Sequence, residues 1–433
     1  MSKGSRIPGF YKLGLDERRQ QVAEHSDLTV DELDIALRSG GIDPQVADKV
    51  VENVLGVYSL PFGVALNFTI NGTDRLVPMV VEEPSVIAAA SNAARMIRSA
   101  GGFSAELLDD LMTTQIQLFD VPDNELAVSA LTEAFPELLE LGRQAVPNLV
   151  KRGGGPRRAE VRDLGEGCVV VHMHVHCLDA MGANLVNTIA EAIGPRTAEL
   201  AKGTLGLRIL TNLCDQRRVR VRARIQAGDL SRERPKTDDA SSWAPVGDDG
   251  NAIIDAISQA SRFAELDTYR AATHNKGIMN GVDSVVMATG NDYRAVEAGA
   301  HAYAARSGQY SPLATWKREG HDLVGELEMP LAVGVVGGTL RVHPSARLAL
   351  RIAKIDSAAE LAMTAACAGL ASNLAAIRAL ATEGIQRGHM SLHARSVAIA
   401  AGATGNDVER VAAAIAATGS VSLEAAKRSL SEK

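Results

Sequence analysis

The sequence predicts an α+β protein in which a small α+β domain is inserted into a larger mixed α/β domain. Three observations carry that expectation. Helical patterns alternate with short extended runs over the first hundred residues. A compact strand–helix–strand succession then follows between about Asp109 and Asn212. Beyond residue 250 the chain turns apolar and rich in Ala and Gly as far as about residue 384. With 433 residues, two or three domains of ~100–200 residues fit, and the chain is long enough to bury ~75 % of its unfolded surface.

Taken in order, LTVDELDIALRSGG (28–41) reads as a helix closed by Gly40 and Gly41, and PSVIAAASNAARMIRSAGG (84–102) as one closed by Gly101 and Gly102. Pro84 fits the first turn of the second helix and pushes Glu83 out of the α region, so Glu83 stands on a stiff corner. The central segment holds a helical stretch, a Gly153–Gly154–Gly155 turn and the strand-like GCVVVHMHVHCL (167–178). A helix from near Met181 and the strand LGLRILTNL (205–213) complete it. RRVRVRARI (217–225) alternates Arg with apolar residues, the pattern of a half-buried strand with a basic face. The charged, Pro-containing stretch between Gly228 and Gly250 reads as an exposed loop, and the last fifty residues as two or three helices.

Composition excludes several functions. Asp and Glu number 52 against 45 Lys and Arg, a net charge of −7, and no basic run offers a footprint for a phosphate backbone. Aromatics at 3 % are too few for a base-stacking platform, so nucleic acid is not an expected partner. The first residues lack an apolar signal-peptide core, and the uncharged run Leu361–Ile377 is short and small-residue-rich. A buried helix is expected there rather than a membrane span, and the protein is expected in the cytoplasm. Cys168, Cys177, Cys214 and Cys367 lack CxxC spacing and fit reduced thiols.

Three clusters could carry chemistry. HMHVH places His172, His174 and His176 on one strand face, but no acidic or sulfur partner is spaced nearby, so a polar strand face is expected and no metal. His389 and His393 lie one helical turn apart without the Glu of HExxH. YRAATHNKGIMNGVDSVVMATGND (269–292) is a dense polar and glycine cluster. Its SVVMATGND reads as a strand-like run that places Asp292 at a strand's carboxyl end, where α/β sites collect. GxGxxG, Walker A and GxSxG patterns are absent from the contexts that would give them meaning.

Together, EEPS (82–85), DAMGAN (179–184), HNKG (274–277), ATGND (288–292) and GHM (388–390), in colinear order over nearly the whole chain, resemble class II hydroxymethylglutaryl-CoA (HMG-CoA) reductase. The resemblance implies conversion of HMG-CoA to mevalonate and CoA with two equivalents of NADH or NADPH, the chemistry of the mevalonate route to isoprenoids. It implies Glu83, Lys276, Asp292 and His389 as catalytic residues. Ser85, Arg270, Asn280 and Asn373 fall where the family binds the hydroxymethylglutaryl group, and Asp179, Met181, Gly182, Asn184 and Asn212 where it holds the dinucleotide. It further implies a discontinuous substrate domain (1–107 and 218–384), a ferredoxin-like NAD(P)-binding insert (108–217), a helical C-terminal flap (385–433) hinged near Gly384 and Gly388, and a homodimer with the active site between subunits.

Two departures refine this expectation. Val146 stands where NAD-preferring members carry an acid, with Asn148, Lys151 and Arg152 close by, which tilts the cofactor toward NADPH or dual use. Tyr11 and Lys12 stand where a basic contact to CoA is expected. The competing readings are a non-catalytic oligomeric metal-binding protein built on HMHVH and a reductase of a related acyl-CoA.

Overall fold

The computed structural model describes residues 4–231, 249–382, 394–417 and 421–432. The amino-terminal helices α1 (Leu15–Ser26), α2 (Val30–Leu37) and α3 (Pro44–Val50) lead into a hairpin of β1 (Phe62–Ile70) and β2 (Thr73–Val80). Asn71 and Gly72 both take positive φ, the turn that matches the twist of paired strands. After α4 (Val86–Arg98) and β3 (Phe103–Leu107) the chain departs into a second sheet. It returns as β8 (Arg218–Gln226), which pairs antiparallel with β3. The insert therefore leaves and rejoins the large sheet through neighbouring strands.

That insert contains β4 (Leu111–Phe119), α5 (Asn124–Glu133), α6 (Phe135–Ala145), α7 (Pro147–Lys151), β5 (Gly155–Asp163), β6 (Val169–His176), α8 (Ala183–Ala201) and β7 (Thr204–Leu210). The strand order β5-β6-β4-β7, all antiparallel, with α5–α6 and α8 as crossovers, is the ferredoxin-like βαββαβ arrangement. Val169, Val171, Met173 and Val175 face the helices. The histidines of HMHVH occupy the opposite face, and there the structure corrects the sequence expectation. An acid does stand nearby, because Glu160 lies directly across from His172 in the β5–β6 register. Chain spacing hides it, since the two residues meet through strand pairing.

The remainder comprises α9 (Ala227–Leu230), α10 (Gly250–Leu266), α11 (Thr268–Ala288), α12 (Tyr293–Ala304), β9 (Ala314–Glu319), β10 (Asp322–Pro330), α13 (Pro344–Ala353) and α14 (Ala358–Ala381). The large sheet runs β2-β1-β3-β8-β10-β9. The basic face of β8 is neutralised along its length: Arg218 pairs with Asp109 and Glu328, Arg220 with Glu328, and Arg224 with Asp322. Among the described residues α14 is the one helix long and apolar enough to cross a membrane, and 78 % of that window is buried against the core. All four cysteines are free. Residues 394–400, α15, join α16 (Asn406–Ala417) and α17 (Leu423–Ser431) around a separate small apolar cluster.

Candidate active site

Helix α11 sets the site. Asp267 caps it by accepting from the Arg270 amide at 2.8 Å. Ala271, His274, Asn275, Ile278, Val282 and Val285 bury one flank. The strand-like reading of SVVMATGND is thus corrected. A 3.6-residue period runs through an apolar stretch too short for periodicity alone to decide, and the whole run up to Ala288 is helical. Gly281 explains part of the ambiguity: a Cβ there would lie 2.2 Å from the Ala368 carbonyl oxygen, so α11 and α14 pack backbone to backbone.

The exposed flank carries Lys276, whose Nζ lies 2.8 Å from Glu83 Oε2, with side chains 62 % and 32 % exposed. Glu83 sits at the corner between β2 and α4. Pro84 precedes the helix, which starts at Val86, and does not enter its first turn as the sequence suggested. Ser85 occupies the cap in a left-handed conformation with φ 74°, and its hydroxyl bonds the Pro84 carbonyl. One turn beyond Lys276, Asn280 uses its carbonyl to accept from the Ser284 hydroxyl at 2.6 Å. Arg270 is half-buried, no carboxylate among the described residues pairs with it, and desolvation alone lowers its pKa.

Asn373 is not open to this cleft. It is 2 % exposed behind α11, where its oxygen accepts from Trp316 Nε1 (2.8 Å) and its nitrogen donates to the His274 carbonyl (3.2 Å). His274 itself contacts the Ala314 carbonyl through Nε2 at 3.0 Å. Burial, reinforced by the Arg270 charge, pushes its imidazole down to about 4.

Asp292 stands apart from Lys276 within one chain. Twelve residues of straight helix separate Lys276 from the end of α11, about 18 Å at 1.5 Å per residue, and Asp292 lies beyond that end. Its carboxylate caps α12 through the Ala295 amide (3.1 Å) and faces Arg294 (3.6 Å). The adjacent Asn291 bonds Gly334 in both directions, accepting from its amide at 2.8 Å and donating to its carbonyl at 3.1 Å. Gly334 in turn abuts the loop before α8, since a Cβ there would fall 2.4 Å from the Met181 nitrogen.

That loop is locked from below by Arg217, 5 % exposed, which donates to the carbonyls of Ala180 (3.1 Å), Met181 (2.9 Å) and Val333 (2.8 Å). The Asp179 carboxylate accepts from the Ala358 amide at the start of α14 (3.0 Å). Gly182 takes φ 106° and leaves no room for a side chain, with Cys177 Sγ 2.4 Å from a would-be Cβ. Asn184 is exposed on the first turn of α8, and Asn212 is exposed at the end of the β7 connection. No acidic side chain occupies the first turn of this 19-residue helix, so its N-terminus suits an anionic pyrophosphate. Val146 is buried, while Asn148, Lys151 and Arg152 are exposed nearby with no carboxylate among them.

Sequence reasoning missed three positioning residues: Arg217, Asn291 and Gly334. Arg217 breaks the alternation of the basic strand that follows it, which is a readable signal. Asn291 lies inside a recognised motif, but its partner is 43 residues away. His389, with Gly384 and Gly388, lies outside the described residues.

The hydroxymethylglutaryl-coenzyme A reductase family profile matches residues 14–394. The 3-hydroxy-3-methylglutaryl-coenzyme A reductase of Archaeoglobus fulgidus is 45% identical over 431 residues, covering 98% of this chain and 94% of that protein. A probable enzyme of the same name from Borreliella burgdorferi is 36% identical over 353 residues, 80% of this chain and 77% of its own. Among solved structures, the reductase of Streptococcus pneumoniae superposes with a TM-score of 0.81 at 39% identity, covering 98% of this chain and 99% of that one. The class II enzyme of that organism bound to NADPH gives 0.79 at 40% identity, over 86% of this chain and 99% of its own. With a family match over most of its length and relatives this similar, the chain belongs to the hydroxymethylglutaryl-coenzyme A reductase family.

Proposed function

We propose that the chain interconverts HMG-CoA with mevalonate and CoA, using two equivalents of NADPH or NADH. The observation that carries this reading is the Lys276–Glu83 pair, an ammonium 2.8 Å from a carboxylate on the open flank of α11. The reduced nicotinamide, when bound, supplies hydride to the acyl carbon. Negative charge then grows on the substrate oxygen, and Lys276 stabilises it from a fixed position as an oxyanion-hole donor does. Glu83 orients that ammonium and stands within reach to exchange a proton at the same oxygen. The half-buried guanidinium of Arg270, paired with no carboxylate among the described residues, accepts the terminal carboxylate of the hydroxymethylglutaryl group, with Ser85 and Asn280 completing the contact. Asn373 acts from behind as a positioning residue that fixes α11.

On the cofactor side, the Asp179–Asn184 loop and the N-terminus of α8 hold the pyrophosphate. Val146 in place of an acid, with the exposed Lys151 and Arg152 at hand, favours tolerance of a 2′-phosphate. His389, by the resemblance, gives a proton to the departing CoA thiolate: an imidazole titrates near 6.5 and a free thiol near 8.5. The flap of residues 385–433 delivers it on closing over the substrate.

Asp292 is too far from the Lys276 of its own chain to act on it. The reading therefore makes the enzyme a cytoplasmic homodimer in which Asp292 and the dinucleotide loop of one subunit face Lys276 and Glu83 of the other. The substrate domain is then 1–107 with 218–384, and the cofactor domain 108–217.

Incubation with HMG-CoA and NADPH or NADH tests the reading. It predicts consumption of reduced nicotinamide with release of one free thiol per two hydrides. Lys276→Ala should lower kcat by roughly 10²–10³, the effect of losing one such donor. Full turnover by Lys276→Ala would refute the assignment.

A further inference from the structure

The face of the small sheet turned away from α5, α6 and α8 carries a polar cluster that the reductase chemistry does not use. It is built on two adjacent rungs. Glu160, His172 and Gln115 stand side by side across β5, β6 and β4, and Arg158, His174 and Thr113 form the next rung. Glu160 Oε1 lies 2.9 Å from His172 Nδ1 and 3.7 Å from His174 Nε2. One ligand atom from each of Glu160, His172 and His174 lies within 4.8 Å of the other two. His174 is 2 % exposed, and its Nε2, aimed at Glu160, has no hydrogen-bond partner among the described residues. A buried imidazole nitrogen with nothing to bond is costly unless something occupies the space in front of it.

The far nitrogens are each held by a group that can donate or accept. Gln115 Nε2 lies 3.0 Å from His172 Nε2, and Thr113 Oγ1 lies 2.9 Å from His174 Nδ1. By turning its amide, Gln115 can accept a hydrogen bond from His172 Nε2–H. By rotating its hydroxyl, Thr113 can accept one from His174 Nδ1–H. Either change leaves the nitrogen that faces Glu160 with a free lone pair. This is the second-shell arrangement that orients metal-ligating histidines. Glu160 and Asp215 set two negative charges against the two positive charges of Arg158 and Arg162 around the rings, and the Arg158 guanidinium is held by the Gln216 side chain. The nearby fixed charges therefore balance in number, and the Glu160 carboxylate is the one among them that faces both rings within 4 Å.

We propose that Glu160, His172 and His174 form a binding site for one divalent first-row transition-metal ion, zinc for example, on the outer face of the ferredoxin-like domain. Ligands about 2.0–2.1 Å from a tetrahedral ion lie roughly 3.3 Å apart. The present spacings reach that value by side-chain adjustment alone, and water fills the fourth position. The expectation of no metal at HMHVH rested on the lack of an acid close in sequence, and β5 supplies one. The proposal does not depend on the reductase reading.

The test is zinc titration of the metal-free full-length protein, followed calorimetrically and by thermal melting. Saturable binding of one ion per chain is expected, with a rise in melting temperature. Glu160→Gln changes a half-exposed side chain, so it should fold, and it should bind zinc at least ~10-fold more weakly. Thr113→Val should weaken binding by a similar factor through the orientation of His174. His174→Gln should abolish binding, but only a variant that keeps the wild-type circular dichroism counts. If the metal-free protein takes up no zinc, or if Glu160→Gln binds it as tightly as wild type, the site is wrong.

Discussion

Lys276 and His274 are two residues apart on α11 and meet opposite environments, because a helix turns its side chains by about 100° per residue. The ammonium reaches solvent and Glu83, whereas the imidazole is sealed against the Ala314 carbonyl. The unfolded chain protonates this ring near pH 6.5, but the folded chain resists until about 4. The stabilisation is therefore complete above the unfolded value and lost as pH falls through the folded one, about 3 kcal/mol in all. Urea midpoints at pH 7.5 and 4.5 should show this loss. His274→Gln, which keeps an N–H for the carbonyl, should lose correspondingly less. Asp283 has the opposite sign. Burial and the neighbouring Glu297 carboxyl hold it above the usual carboxylate range, so its folded form keeps a proton that the unfolded chain releases. Stability from this residue falls as pH rises above about 4. Asp283→Asn should accordingly gain on wild type between pH 5 and pH 8 in the same assay. Lys276 and Glu83 were legible from short motifs. Neither buried group was, because their environments are assembled from α11, α12 and β9.

At the scale of elements, α11 and α14 approach each other closely, where Gly281 faces the Ala368 carbonyl and Gly369 faces Val282. Helices that meet through small residues tolerate no added methyl against backbone. Gly281→Ala should cost about 1–3 kcal/mol by urea unfolding, and it should lower kcat by shifting the helix that carries Lys276. The Ala/Gly content of 361–377 made a packed helix legible, and the alternation of 217–225 made β8 legible. The reading failed at SVVMATGND, where β-branched residues and a terminal glycine imitate a strand. The deciding fact, that α14 covers one side of the segment, comes from a partner some eighty residues further along the chain. HMHVH failed in a related way: its strand was visible, but the neighbour across β5 was not.

For the whole molecule, the insertion between β3 and β8 and the length of α11 decide how a complete site can form. A single chain holds Lys276 with Glu83 at one place and Asp292, beside the Asp179–Asn184 loop, at another. If two subunits complete each other, Lys276→Ala and Asp292→Ala must complement. Each mixed dimer then holds one site with both residues intact. Random mixing of the two inactive variants should restore about a quarter of wild-type activity, because half the dimers are mixed and each has one working site. No recovery, in a preparation shown by mass spectrometry to contain mixed dimers, would place both residues in one chain's site. The colinear motifs conveyed the chemistry, and the resemblance a site between subunits, but not which residues each subunit would bring, since a motif carries no distance. The clamp formed by Arg217, Asn291 and Gly334 has one more consequence, for chimeras. An insert grafted from a relative carries its own residue 217 but must also bring the 331–336 strip that cradles its loop. A swap cut at the insert's own borders would leave the transplanted loop on a foreign bed.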